Sequence, residues 1–97
     1  MNTQTRSFES IPEFVYLMSH VNGLTKIGLS KDPKAREKTL QAEDPRLELF
    51  FYCKGNRFIE RRLHDIFQEL RVRGEWFKLD DRHLDWIIFL LGSKNKS

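Results

Sequence analysis

Residues 14–30 constrain the fold of this chain more than any other stretch. Val15 and Leu17 alternate with Phe14, Tyr16 and Met18; after Val21-Asn22-Gly23, Thr25, Ile27 and Leu29 alternate with Lys26, Gly28 and Ser30. Side chains alternate faces along a strand, and Asn-Gly between two such runs signals a β-hairpin. Register matters, because a slip of one residue turns every side chain of a strand to the other face. A two-residue Asn22-Gly23 loop sets Tyr16 opposite Leu29 and Met18 opposite Ile27, joining the apolar set of one strand to the mixed set of the other. A three-residue Val21-Asn22-Gly23 loop, with Gly23 left-handed, pairs Tyr16 with Gly28 and Met18 with Lys26. Val15, Leu17, Thr25, Ile27 and Leu29 then share a core face. The second register is the more consistent. It gathers a phenol, an ammonium and a glycine on a face that has no need to be buried.

Helices and a further strand follow. Asp32-Pro33 opens a helix, with Asp32 as N-cap and Pro33 at the first helical position, expected to run to about residue 42 before Asp44-Pro45 breaks it. The aromatic-rich run 47–53 reads as a third, central strand. Asn56 can cap a helix from Arg57 to about residue 70, on which Ile59, Leu63, Ile66 and Leu70 form one apolar stripe. Residues 75–79 are short and open to an extended reading. Asp81 is the expected cap of a last helix to about residue 91, with Leu84, Ile87, Ile88 and Leu91 turned inward. The fold class expected is α/β of the α+β kind: a small three-stranded antiparallel sheet flanked by helices, in the order β-β-α-β-α-α. The folded unit is 13–91, between a flexible polar arm, 1–12, and a polar tail, 92–97.

Composition narrows the function classes. The chain has 97 residues, the size of one small domain. Lys plus Arg is 17 and Asp plus Glu 14, a net charge of +3, and the pI near 9.2 leans towards an anionic partner. One cysteine excludes an internal disulfide framework and cannot alone make a structural zinc site. The run Trp86 to Leu91 is too short to span a membrane, and MNTQTRSFES lacks the apolar stretch of a signal peptide. A soluble, cytoplasmic protein with no membrane partner is expected. The last helix also carries Trp86, Phe89 and Leu90, so it is either deeply buried or a homodimer contact.

Several short pieces recur in a known order. Phe14-Val15-Tyr16, Lys26-Ile27-Gly28, Arg36 eight residues after that glycine, and Glu60 on a later helix resemble the GIY-YIG nuclease superfamily. Glu60-Arg61-Arg62-Leu63-His64 and Gly74-Glu75-Trp76-Phe77 bring the resemblance closer to its phage-type branch, that of the phage T5-type and meiotically up-regulated-type proteins. The match covers about residues 14–79. Phe14 stands where the superfamily name has Gly, and Lys26 where it has Tyr; the lysine is normal for this branch. The resemblance implies a small three-stranded antiparallel sheet with helices, in agreement with the reading above, and a phage or mobile-element origin.

It also implies metal-dependent DNA endonuclease chemistry. Glu60 corresponds to the metal ligand of the family, for Mg²⁺ or Mn²⁺; a hard cation takes oxygen ligands, so one carboxylate plus phosphate oxygens can hold it. Arg36 corresponds to the residue that binds the scissile phosphate, a task its planar fork suits. Tyr16 corresponds to the residue near the attacking water, as general base or through a positioning hydrogen bond. Our own addition is that Lys26, across the hairpin, favours the phenolate of Tyr16. His64, four residues after Glu60 and on the same helix face, is a support for the ligand, a proton donor, a metal ligand, or simply a hydrogen-bonded histidine at the core edge. Glu75 is placed either against Arg36 or near the metal, and His20 and His83 at the surface.

Lys26, Lys31, Lys34, Arg36, Arg57 and Arg61 are the residues expected to meet the DNA phosphate backbone, with salt-dependent and mostly sequence-independent binding. No zinc finger or recognition-helix motif is present. The alternative is a catalytically inactive module of the same fold that binds nucleic acid or protein. A ribosome-dependent RNase toxin of similar size ranks last, because those end in strands and this chain ends in an apolar helix.

Overall fold

The hairpin adopts the three-residue register. β1 (Glu13–His20) and β2 (Thr25–Ser30) pair antiparallel with Tyr16 opposite Gly28 and Met18 opposite Lys26. Gly23 takes φ +90° at the turn, where only glycine is at ease, and its N–H donates to His20 O at 2.9 Å. The computed structural model describes residues 11–94, so positions 1–10 of the expected arm and 95–97 of the tail lie outside the described residues.

Local chemistry starts the first two helices. Asp32 Oδ1 accepts the Ala35 N–H at 3.1 Å and opens α1 (Pro33–Glu43). Asn56 Oδ1 accepts the Ile59 N–H at 2.9 Å and opens α2 (Arg57–Ile66). The cap of α3 (Asp81–Lys94) is one residue earlier than expected: Asp80 Oδ1 accepts the N–H groups of Arg82 and His83. That helix continues through Gly92 to Lys94.

The expected three-stranded sheet and the order β-β-α-β-α-α are corrected. Among the described residues the sheet has five antiparallel strands, in the order β3 (Leu47–Gly55), β1, β2, β5 (Trp76–Phe77), β4 (Arg71–Arg73), with three helices. The added strands are β4 (Arg71–Arg73) and β5 (Trp76–Phe77), joined by a turn at Gly74 with φ +51°. Helix α2 stops at Ile66 instead of about residue 70, and a single 3₁₀ turn, Gln68–Leu70, leads into β4. Strand β3 (Leu47–Gly55) is an edge, not the centre. Its burial alternates, leaving Phe50 and Tyr52 each 40% exposed; aromatic content made a one-sided strand resemble a central one.

The true central strand is β1. Val15 and Leu17 join Ile27, Leu63, Phe67, Phe77, Leu79, Ile87 and Leu91 in one core, each large side chain contributing about 1.5–3 kcal/mol by burial. Tyr16 and Met18, on the opposite side, are also fully buried, and α1 packs against β1, β2 and β3. The phenol face, expected to be open, is therefore covered. On α3, Ile87 and Leu91 face inward as expected, while Trp86, Phe89 and Leu90 are exposed, so that helix is not buried all round. Among the described residues no helix is long and apolar enough to cross a membrane. His20 is no surface residue: its Nε2 lies 2.8 Å from Asp44 Oδ2, and its Nδ1 accepts the Asn22 N–H.

Candidate active site

Pairing puts the Tyr16 ring over Gly28. A Cβ on Gly28 would fall 2.8 Å from Tyr16 Cε2 and nearer still to Cζ and Oη. Position 28 is glycine because of the ring above it. The Tyr16 hydroxyl is the one buried side-chain polar atom among the described residues that has no hydrogen-bond partner. Burial pushes the phenol up to about 12; Glu75 and Glu60 add to the rise, and the Arg36 guanidinium, near but short of a formed hydrogen bond, opposes it. The expected acidification of Tyr16 by Lys26 is thus corrected. Lys26 Nζ lies 3.0 Å from Glu75 Oε1, which neutralises it before its field reaches the phenol.

Glu60 lies in the first turn of α2, where the positive end of the helix dipole favours a carboxylate. It is nevertheless only 6% exposed. Burial raises its pKa, and the nearby Glu75 raises it further; His64 and Arg57 pull the other way. Arg57 Nη1 stands 3.8 Å from Glu60 Oε1 and His64 Nε2 3.9 Å from Oε2, both too long for hydrogen bonds. Ligand atoms of Glu60, His64 and Glu75 all lie within 4.8 Å of one another. Hard oxygen donors crowded against each other suit a divalent cation, which would relieve their repulsion.

The brevity of β5 explains how α2 is held here. Thr25 and Lys26 pair with Phe77 and Trp76, and the next residue, Ile27, donates its N–H to Glu75 O at 3.0 Å. There the chain turns at Gly74, and the Ile27 carbonyl has lost its strand partner. The His64 ring nitrogen Nε2 takes its place at 2.9 Å, edge-on to Phe77. One bond thereby ties α2 to β2 one residue before Gly28. The Nε2–H donates to this carbonyl, which can only accept.

The family model of the T5orf172 domain matches residues 13–91. This chain belongs to the T5orf172 domain family. No curated protein and no solved structure matches it. In this T5orf172 domain Tyr16, Lys26, Arg36, Glu60 and His64, picked out from sequence, are brought into one neighbourhood together with Glu75. The sequence places Glu75 either against Arg36 or near the metal ligand; the structure sets it beside Glu60 and His64, with its carboxylate on Lys26. Its position depends on the β5 pairing, which no period announces.

The basic residues separate. Arg36, Lys31 and Arg57 line one open groove of about 450 Å³, with Glu13 and Asp32. Lys34 and Lys38 line a different groove with Phe50 and Tyr52. Two residues along a helix is a turn of about 200°, so they fall on the side of α1 away from Arg36. Lys26 is drawn over Trp76, 5.5 Å from the ring centroid. Arg61 is exposed on α2 beside Glu60.

Proposed function

We propose that this T5orf172 domain is a divalent-cation-dependent DNA endonuclease of the GIY-YIG type. One observation carries the reading: a fully buried hydroxyl without a partner, Tyr16 Oη, set among a guanidinium and two carboxylates. An unpaired buried hydroxyl costs about 1–3 kcal/mol. Such a cost is kept where a bound molecule completes the hydrogen bond. Membership of the T5orf172 family is compatible with a nuclease-like or DNA-binding module.

Glu60 holds Mg²⁺ or Mn²⁺ in this reading. The bound cation supplies Lewis acidity and a more acidic water. Arg36, which belongs both to this group and to the basic groove, takes the phosphate oxygens through its planar fork and offsets the charge that develops there. Tyr16 stays a phenol at neutral pH and orients the attacking water by hydrogen bonding, without removing its proton. The water oxygen bonds to phosphorus as the ester P–O bond breaks; the proton the water gives up passes to bulk solvent, and the leaving oxygen takes one up from solvent. His64 is a positioning residue that holds α2, and with it Glu60, against β2.

Incubation of supercoiled plasmid with Mg²⁺ or Mn²⁺ tests this. The wild type should nick or linearise it, and Glu60→Gln and Arg36→Ala should each lose about a hundredfold or more in rate. A wild type that is inert with both metals yet shifts labelled DNA in a salt-dependent way overturns the enzyme and leaves a binding module.

A further inference from the structure

We infer that Glu75 is a second carboxylate ligand of the cation held by Glu60, and that Lys26 occupies its seat until the cation arrives. The inference rests on the reading of Glu60 as a metal ligand and adds to it a residue and an exchange.

The ammonium of Lys26 marks a place where positive charge is already favoured. Its Nζ is 3.0 Å from Glu75 Oε1, at the end of a flexible stem that is 16% exposed. Glu75 is in turn close enough to Glu60 for their ligand atoms to fall within 4.8 Å. Two oxygens on one Mg²⁺ lie about 3–4 Å apart at bond lengths near 2.0–2.1 Å, so a small adjustment of the half-exposed Glu75 side chain closes the pair. Tyr16 Oη, fully buried and without a partner, lies near enough to Glu60, Glu75 and Arg36 for all three to act on it, a further polar group beside the acidic pair.

His64 is the other nearby group, but its Nε2 is committed to Ile27 O at 2.9 Å. Nε2 is the His64 nitrogen that faces Glu60, 3.9 Å from Oε2, and ligation through it would break the bond that holds α2 to β2, so the two carboxylates are the ligands and His64 is their support. An ammonium and a divalent cation compete for the same Glu75 oxygens. Metal binding therefore expels Lys26 Nζ, which is then free to meet the phosphate oxygens of the substrate. The lysine standing where the superfamily has a tyrosine acquires a role of its own: it balances Glu75 while metal is absent and contacts substrate once metal is present.

Mn²⁺ binding to the whole chain, without DNA, is the test. Titration calorimetry, or the electron paramagnetic resonance of free Mn²⁺, gives the affinity of wild type, Glu60→Gln, Glu75→Gln, Lys26→Met and the double variant Lys26→Met/Glu75→Gln; thermal melts check that each is folded. Glu75→Gln should bind about tenfold or more weakly. Lys26→Met should bind several-fold more tightly, and that gain should vanish in the Glu75→Gln background, since there is then no seat to compete for. A gain that persists in that background means that Lys26 acts only through its charge, and the exchange is wrong. Unchanged affinity in Glu75→Gln, with loss in Glu60→Gln, overturns Glu75 as a ligand and leaves Glu60 standing. A wild type that binds no Mn²⁺, or an affinity indifferent to Glu60→Gln, overturns the underlying reading as well.

Discussion

Tyr16 is where folding and chemistry are set against each other. Its ring fits because residue 28 has no Cβ, and its hydroxyl is buried with nothing to bond. Tyr16→Phe removes that unpaired group and keeps the ring. We expect stability in urea to be unchanged or to rise by about 1 kcal/mol at neutral pH, while plasmid cleavage falls. The wild type should also carry an alkaline weakness that the variant lacks. The native phenol titrates at about 12, against 10.0 for an ordinary tyrosine. The unfolded chain therefore loses this proton first, and the contribution of Tyr16 to stability, fully present below pH 10, is lost as pH rises towards 12. Comparison of the urea midpoints of the two proteins across that window isolates Tyr16 from the other groups that titrate there. Parallel curves would mean that the hydroxyl is wet or already paired in solution.

Among the elements, the one that organises the site is the shortest. β5 has two residues, and because it ends early, the Ile27 carbonyl turns to His64 on α2. We expect His64→Leu to lose about 1–3 kcal/mol, the cost of an unpaired buried carbonyl, and His64→Gln, which can still donate, to recover part of it. Mn²⁺ affinity should change far less than in Glu60→Gln; an equal loss would make His64 a ligand. The same element shows what a sequence discloses. The hairpin register was legible because one choice kept apolar residues together, and the caps Asp32 and Asn56 were legible because capping is chemistry between residues three apart. β4 and β5 were not legible, since strands of three and two residues complete no period. The edge position of β3 was hidden too, because which strand lies between which is decided by the whole chain. Tyr16, Arg36 and Glu60 could be picked out through the resemblance. The Glu75–Lys26 pair could not, since it needs β5 to bring residue 75 against β2.

Across the whole molecule, charge is sorted by the geometry of α1. Asp32-Pro33 fixes where that helix begins, and the beginning fixes which side of it each residue takes. Arg36 falls towards Lys31 and Arg57 in one groove, and Lys34 and Lys38 fall towards Phe50 and Tyr52 in another. A phosphodiester held at Arg36 extends along the first groove, so Lys31 and Arg57 are the side chains that meet its neighbouring phosphates. Three phosphates neutralised there should contribute roughly −2.7 to the slope of log affinity against log salt for duplex DNA, whatever other contacts add. Lys31→Ala and Arg57→Ala should each reduce the steepness by about 0.9 and weaken all sequences alike, because phosphates carry no base information. Lys34→Ala should leave the slope where it is. Fluorescence anisotropy over a salt series, with Ca²⁺ in place of Mg²⁺ to hold back cleavage, reads all four proteins. If Lys34→Ala flattens the plot as much as Lys31→Ala does, DNA crosses both sides of α1 and the path through the Arg36 groove is wrong. If neither Lys31 nor Arg57 affects it, Arg36 holds its phosphate without help from that groove.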